Sequence, residues 1–118
     1  MGTRDLPDNV LYIKLPRKQH QLSNRIKGAN DTVNRNNSLD VIFDFSNTEI
    51  INSSNISNML LLKNLLQDNG RQLILCNVST VTKCIFVVAD LDDAFTFAED
   101  IEAALEALSI NNNSTNTF

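Results

Sequence analysis

Apolar residues occur along the chain in two patterns: short, nearly unbroken runs, and stretches in which they recur every three or four residues. The runs predict buried β-strands, and the spaced stretches predict amphipathic helices. The predicted strands cover residues 10–15, 39–45, 72–78 and 94–97. The predicted helices cover residues 19–36, a stretch from residue 54 or 55 up to the Asn69-Gly70 pair, 81–89 and 99–108. This β-α-β-α-β-α-β-α order predicts a single small α/β domain with right-handed crossovers.

The most informative stretch is residues 39–70, LDVIFDFSNTEIINSSNISNMLLLKNLLQDNG. Its first seven residues are apolar or β-prone apart from Asp40 and Asp44, which is typical of a strand covered on both faces in a parallel sheet. Gly70 supplies the left-handed stop expected just past a helix C-terminus. The loop at residues 52–55, NSSN, lies where the strand's carboxyl end meets the helix N-terminus. Functional sites of open α/β sheets usually lie at such a junction.

The two ends of the chain have little to bury. Residues 1–9 carry Gly, Pro and charged side chains and predict a flexible lead-in. From Ser109 onward the polar sequence SINNNSTNTF predicts a disordered tail, residues 109–118. The predicted domain therefore covers residues 10–108.

Size and charge exclude several classes of function. The chain has 118 residues, enough for one domain with a hydrophobic core. It carries 10 Lys and Arg against 14 Asp and Glu, a net charge of −4, so it lacks the basic excess of nucleic-acid-binding proteins. No apolar run is long enough to span a bilayer, and the polar start MGTRDLPDN lacks the core of a signal peptide. These features predict a cytoplasmic protein without membrane insertion or nucleic-acid binding.

The residues that usually carry chemistry are sparse. Cys76 and Cys84 both lie in apolar segments and are predicted to be small core residues rather than a disulfide or zinc ligands. His20 has no second histidine or carboxylate at ligand or triad spacing, so it is predicted to be a solvated loop or helix-start residue. Three glycines in the whole chain exclude a dinucleotide-binding fingerprint. We therefore predict no catalytic residues, no metal site, no cofactor and no enzymatic activity.

The predicted helix after the NSSN loop has two apolar faces. At about 100° per residue, a broad face predicted to pack on the sheet contains Met59, Leu61, Leu62, Leu65 and Leu66. Ile56 and Leu60 fall outside that face, one turn from the serines and beside Lys63. An apolar pair ringed by polar groups is typical of a partner-binding surface. Packing of the pair under a neighbouring loop explains the pattern equally well.

Several segments together resemble a STAS domain, the module shared by bacterial anti-sigma factor antagonists and the cytoplasmic tails of sulfate transporters. VIFDFSNTEIINSSNISNMLLLKNLLQDNG is similar to the family's strand, its Asp-Ser-Ser-Gly-Leu loop and its helix ending at glycine. RQLILCNVSTVTKCIF is similar to the following strand and helix, and LDDAFTFAEDIEAAL to the closing strand and helix. The resemblance implies a single STAS-like domain, with a small mixed or parallel sheet of four to five strands and four helices.

The resemblance also implies a modification site. In antagonist members of the family, the first serine of the pair is phosphorylated by a partner that is both anti-sigma factor and serine kinase. Carried over, that serine is Ser53, with Ser54 as the second choice. Asn52 stands where the family usually has Asp, which removes a negative charge beside the acceptor. Asn55 stands where the family usually has Gly, and Asn can adopt the left-handed backbone that a glycine there would need.

A serine at a helix N-terminus has two physical interpretations. A phosphate there would face free backbone N–H groups and add a charge of about −1.5 to −2 without unfolding the helix, which suits a switch. Alternatively, Ser53 or Ser54 simply caps the helix. The two roles are compatible.

These observations lead to one functional hypothesis and two alternatives. The hypothesis is an anti-sigma factor antagonist-like binding module, a monomer or weak dimer, that binds an anti-sigma factor/serine kinase partner. Its predicted partner-binding residues are Asn52, Ser53, Ser54, Asn55, Ile56, Leu60 and Lys63. The first alternative is an unphosphorylated STAS scaffold or a subunit of a transport or stress complex, which the neutral Asn52 favours. The second is a small-molecule-binding module that uses the cleft beside the serine loop.

Overall fold

The computed structural model describes residues 6–48 and 51–114 of the chain. Within these ranges, four strands alternate with four helices, as the sequence predicted. The strands are β1 Val10–Lys14, β2 Asp40–Asp44, β3 Leu73–Cys76 and β4 Thr96–Ala98. The helices are α1 Gln19–Arg35, α2 Ser53–Asp68, α3 Thr80–Val88 and α4 Ile101–Ser114. The predicted α/β class is confirmed.

The four described strands form one parallel sheet in the order β1-β2-β3-β4. Each crossover moves one position in the same direction, so right-handed crossovers place α1, α2 and α3 on the same face of the sheet. The fourth helix follows the last strand and covers the opposite face, where it contacts β2, β3 and β4. The carboxyl ends of the strands and the N-termini of α2 and α3 consequently share one edge of the molecule.

The main hydrophobic core lies between the sheet and the three crossover helices. Strand β2 contributes Val41 and Phe43, both 0% exposed. Its other face carries Ile42, also fully buried, so the prediction of a strand covered on both sides is confirmed. The helices contribute further buried side chains to this core, namely Leu22, Ile26, Ala29, Val33, Met59, Leu62, Leu66 and Phe86. Each large apolar side chain buried here stabilises the fold by roughly 1.5–3 kcal/mol.

A smaller core lies on the other face, where Ile74 and Cys76 of the sheet pack against Ala104 and Leu108 of α4. This helix continues to Ser114. The predicted disordered tail therefore begins too early, since its residues 109–114 are helical. A helix that is already formed and packed adds one backbone hydrogen bond for each residue it gains. The rest of that tail, residues 115–118, and residues 1–5 of the predicted lead-in lie outside the described residues.

Two helices end in the same hydrogen-bond motif. At the end of α2, Arg71 N–H donates to Leu66 O at 2.8 Å and Gly70, with φ 73°, takes the left-handed position. This confirms the stop predicted from the Asn69-Gly70 pair. At the end of α3, Leu91 N–H donates to Phe86 O, also at 2.8 Å. Asp90, with φ 61°, takes the left-handed position there that Gly70 takes after α2.

The region around β4 differs from the prediction. The strand begins at Thr96 rather than at residue 94, because Ala94 N–H donates to Leu91 O at 3.0 Å and forms a turn. Phe95 is buried beneath α3 instead, with its ring centroid 5.3 Å from that of Phe86 in an edge-to-face arrangement. The Phe97 ring also meets that of Phe86 edge to face, with the two centroids 5.5 Å apart. Phe86 is therefore the main anchor of α3.

The two cysteines lie in different environments. Cys76 is buried, as predicted. Cys84 is exposed, so its prediction as a core residue is wrong. The reason is that α3 buries only Thr82 and Phe86, and Cys84 lies on a different side of this short helix. His20 is exposed in the first turn of α1, as predicted. No helix in the described ranges has both the length and the apolar character needed to cross a bilayer.

Candidate functional site

The N-terminus of α2 is capped by Asn52. This residue has an extended backbone, φ −93° and ψ 168°, and its Oδ1 accepts a hydrogen bond from Asn55 N–H at 2.9 Å. The helix begins at Ser53, earlier than the predicted start at residue 54 or 55. The interpretation that Ser53 or Ser54 caps the helix is therefore wrong, because the asparagine side chain takes that position.

Both serines are exposed in the first turn of α2. Among the residues that the structure describes, neither hydroxyl has a hydrogen-bond partner. The first-turn N–H groups and the positive end of the helix dipole make this a favourable location for a negative charge. Both hydroxyls are thus accessible, and a phosphate on either would be compatible with the helix.

The two serines differ in their neighbours. Helix spacing places Ser53 on the same side of α2 as Ile56 and Leu60, three and seven residues further along. Ser53 and Ile56 line an open groove of about 520 Å³, which we call the α2–α3 groove. Its remaining lining residues belong to α3 and its cap, namely Val81, Cys84, Ile85, Val88 and Ala89. Ser54, about 100° further round the helix, does not line this groove.

Asn55 is an internal residue, which corrects its prediction as part of a partner-binding surface. Its side chain is 1% exposed, and its Nδ2 donates to Gln19 Oε1 at 3.0 Å, linking α2 to the first turn of α1. The helical register explains this burial, since Asn55 shares a face with Met59 and Leu62. Its backbone is helical, so the left-handed conformation considered for a glycine replacement is not needed here.

The apolar faces of α2 are rotated from the predicted arrangement. Ile56 is 6% exposed and packs in the main core, while Leu60 is half-buried against it. The two alternatives for this pair were a partner-binding surface and packing inside the domain. Most of the Ile56 side chain is packed inside the domain, and only its edge lines the groove. Leu61, predicted to face the sheet, is 62% exposed. The pattern misled because apolar residues occur on nearly every side of this leucine-rich helix.

Lys63 lies apart from the serine loop, about 15 Å further along α2 at 1.5 Å per residue. It is half-buried and lines a separate cavity of about 170 Å³ near the amino ends of β3 and β4. Arg71 and Thr96 line the same cavity. The structure therefore brings residues 52–56 together, whereas Lys63 marks the far end of the same helix face.

A buried carboxylate fixes the point where the serine loop leaves the sheet. At the end of β2, Asp44 Oδ1 accepts hydrogen bonds from Ser46 N–H at 2.9 Å and from Asn77 Nδ2 at 3.0 Å. Its Oδ2 accepts a hydrogen bond from the Tyr12 hydroxyl. Thr48 Oγ1, further along the loop, lies 3.1 Å from Pro16 O. These bonds connect the start of the loop to β1 and β3.

Hydrogen bonding decides the charge of Asp44. Burial alone would raise the pKa of its carboxyl, but the hydrogen bonds from Tyr12, Ser46 and Asn77 outweigh burial, and the net pKa is lowered. Burial and the adjacent Asp44 charge raise the pKa of Tyr12. At neutral pH the pair is therefore a carboxylate and a neutral phenol, which is the combination its hydrogen bond requires.

The outer face of α3 is the feature that sequence reasoning missed. Val88 is 87% exposed and Val81 64% exposed, and both line the α2–α3 groove with Cys84. The sequence did contain a signal, since TVTKCIFVV has a single charged residue, Lys83. A nine-residue helix with one charge cannot present a polar outer face, whichever side it buries.

In residues 6–48 and 51–114, no three His, Cys, Asp or Glu side chains form a candidate metal site.

The family follows from a direct comparison. A family model described as the STAS domain matches residues 14–104, which is most of the chain. The protein therefore belongs to the STAS domain family. A comparison with curated protein sequences gives no match.

Solved structures with the same fold include antagonists and a sulfate transporter family protein. A proposed anti-sigma factor antagonist from Thermotoga maritima superposes with a TM-score of 0.75, at 16% identity over 89% of this chain and 92% of its own. A sulfate transporter family protein from Wolinella succinogenes also gives 0.75, at 16% identity over 91% and 90%. The antagonist SpoIIAA in its unphosphorylated form gives 0.69, at 16% identity over 90% and 94%. At this identity the likeness shows the fold alone.

Proposed function

We propose that the protein is an anti-sigma factor antagonist-like regulator that binds an anti-sigma factor/serine kinase and is switched by phosphorylation at Ser53. It acts as a cytoplasmic binding module and not as an enzyme. Membership of the STAS family and the fold shared with two antagonist structures support this class. The observation that carries the proposal is the position of Ser53, whose exposed hydroxyl is not used as a cap and lies at the edge of an apolar groove.

The switch works through desolvation and charge. With Ser53 unmodified, the part of the groove lined by Ser53 and Ile56 carries no charge, so an apolar partner surface packs there without burying an ion. A phosphoserine adds a charge of about −1.5 to −2, which the partner would have to desolvate or exclude. The fold itself tolerates the phosphate because it sits in the first turn of α2. Phosphorylation is therefore expected to release the partner. The affinity falls tenfold for each ~1.4 kcal/mol of binding free energy that is lost.

The proposed partner surface centres on the exposed part of the site. Asn52, Ser53 and Ser54 are exposed, and Leu60 and the edge of Ile56 extend the surface along α2. Lys63 marks its far limit. Asn55 supports this surface from below through its bond to Gln19.

The test is an affinity capture from a lysate of the source organism, read by mass spectrometry, with the intact mass of each recovered bait recorded. The baits are the wild type, Ser53→Ala, Ser53→Asp and Ser54→Asp. Ser53→Ala removes the proposed acceptor, and Ser54→Asp adds the same charge as Ser53→Asp one residue away from the groove. We expect the wild type and Ser54→Asp to capture a histidine-kinase-like ATPase and Ser53→Asp to lose it. A phosphate-sized mass increase should appear on the wild type and be absent from Ser53→Ala.

Identical captures by all baits, with no kinase and no phosphate, would contradict the proposal. Loss of capture by Ser54→Asp alone would move the acceptor to Ser54.

A second function has specific support, because the neutral Asn52 departs from the antagonist loop and one structural neighbour is a sulfate transporter family protein. This is an unphosphorylated scaffold or a subunit of a transport or stress complex. It predicts one constant set of captured proteins, whatever stands at position 53.

A further inference from the structure

The outer face of α3 has no described element packed over it. Val81, Cys84 and Val88 recur at intervals of three to four residues and share one side of the helix. All three side chains are exposed, and Val88 is the most exposed large apolar residue described. Thr82 and Phe86, on the inner side, anchor the helix to the core. An exposed apolar strip of this kind marks an interaction surface in a soluble domain.

The charge around this strip is distributed unevenly. The single cation of α3, Lys83, points away from the groove, with its Nζ 5.5 Å from the Phe97 ring centroid. Immediately after the helix come Asp90, Asp92 and Asp93, all exposed, and none forms an ion pair with a described residue. The negative end of the α3 dipole lies at the same place. The aspartates follow Ala89, which lines the groove, so their charge adjoins the C-terminal end of α3. The N-terminal end of α3 lies at the same edge of the sheet as Ser53.

We infer that the α2–α3 groove binds an amphipathic helix of the partner whose apolar side packs on Val81, Cys84 and Val88 and whose Lys or Arg residues pair with the aspartates after α3. This inference rests on the proposed function, because it describes how the partner that Ser53 controls would be held. Charge complementarity selects this occupant: the acidic end favours a basic segment and repels an anionic membrane. It also sets a direction, with the basic end of the partner helix away from Ser53.

The test uses two synthetic helical peptides that share one leucine stripe and differ only in a terminal cluster of lysines or of glutamates. Binding is measured by fluorescence anisotropy, and the contact site by amide chemical shifts. We expect the lysine peptide to bind at least tenfold more tightly than the glutamate peptide and to shift the amides of α3. Val88→Ser should weaken its binding about tenfold, since it removes the most exposed apolar contact of the strip.

Two variants make the test specific. Val87→Ser is the matched control, because Val87 is 57% exposed on the same helix but does not line the groove, and it should bind like the wild type. A variant combining Asp90→Asn, Asp92→Asn and Asp93→Asn should bind both peptides equally. These substitutions lie on the surface, and an asparagine at position 90 tolerates the left-handed backbone.

Several results would overturn the inference. These are equal binding of the two peptides to the wild type, equal weakening by Val87→Ser and Val88→Ser, binding to anionic vesicles in place of the peptide, and self-association that blocks Cys84 and excludes the peptide. The outcome is separable from the switch, since the peptides contain no kinase. If the lysine peptide binds as expected but Ser53 is not phosphorylated, only the phosphorylation switch is contradicted. If the kinase is still captured by Val88→Ser, only the inference about the groove is contradicted.

Discussion

Asp44 shows how a single residue links the sheet to the site. Its carboxylate accepts hydrogen bonds from three elements at once: β1 through Tyr12, the start of the serine loop through Ser46, and the end of β3 through Asn77. Hydrogen bonds to a charged acceptor are stronger than those between neutral groups. The sequence indicated only that Asp44 interrupts a buried strand. Ser46 is two residues away, but Tyr12 and Asn77 lie 32 and 33 residues away in the chain, so no local pattern could reveal those two partners.

The lowered pKa of Asp44 predicts how stability depends on pH. Since its folded pKa lies below the unfolded value of ~3.9, its ionisation stabilises the folded state at all pH values above about 4, and this stabilisation is lost as the pH falls through the folded pKa. We expect Asp44→Asn to be less stable than the wild type near neutral pH, with the gap closing in acid. Urea unfolding at a series of pH values measures this.

The control for this measurement is Asp31→Asn, which removes an exposed carboxylate from the C-terminal part of α1. Its free energy of unfolding is measured at the same series of pH values as that of Asp44→Asn. A gap for Asp44→Asn that stays constant in acid would show that the site depends on the shape of the side chain and not on its charge.

At the scale of elements, helix ends were easier to predict than helix faces. The stop of α2 was readable because Gly70 after a periodic stretch is a local signal. The start of α2 was harder to predict, because Asn52, Ser53 and Ser54 are all good caps. Which of them caps the helix depends on the direction from which the preceding loop enters it. The buried face was the hardest to predict. In a helix with apolar residues on nearly all sides, the packing of α1 and the sheet, not the pattern, decides that Leu61 is exposed and Asn55 is buried.

The end of α2 gives a prediction about glycine. Gly70→Ala is expected to lower the free energy of unfolding by roughly 1–2 kcal/mol, because a side chain is strained at φ 73°. Gly28→Ala is the matched control: Gly28 lies inside α1 with open space at its Cβ position, so alanine should raise stability by roughly 0.5–1 kcal/mol. Urea denaturation of both variants checks this. Equal effects of the two substitutions would show that the left-handed turn is not required.

At the scale of the whole molecule, the sequence predicted element order and fold class well. Alternation of buried runs with helical stretches leaves few topologies once crossovers are right-handed. What it missed is how little of α3 is covered. Three crossover helices share one face of the sheet, and the last of them packs at the short edge strand β4. That position leaves the side with Val81 and Val88 open, a result of topology that no single segment of sequence contains.

The two cysteines report on the same architecture. Cys76 is buried between the sheet and α4, and burial, with smaller contributions from Asp44 and Asp100, raises the pKa of its thiol to about 12. Cys84 is exposed beside the groove. We expect the Cys84 thiol to react rapidly with a disulfide reagent in the native protein. The Cys76 thiol should react a thousandfold or more slowly, because it becomes accessible only in the small fraction of molecules that are unfolded.

The variant Cys84→Ser identifies the two phases, since it should retain only the slow one. The slow rate is expected to rise steeply with urea. A slow rate that does not change with urea would mean that α4 detaches locally while the rest of the domain stays folded.

The order of the strands also bears on how the chain acquires its structure. Each strand pairs with the next one in the chain, so every pairing closes a single helix-containing segment and none has to wait for a distant partner. The sheet can therefore grow one unit at a time as the ribosome delivers the chain. Because α4 comes last and covers β2, β3 and β4, a nascent chain that lacks it exposes Ile42, Ile74 and Cys76, and this is the interval in which a chaperone would protect it.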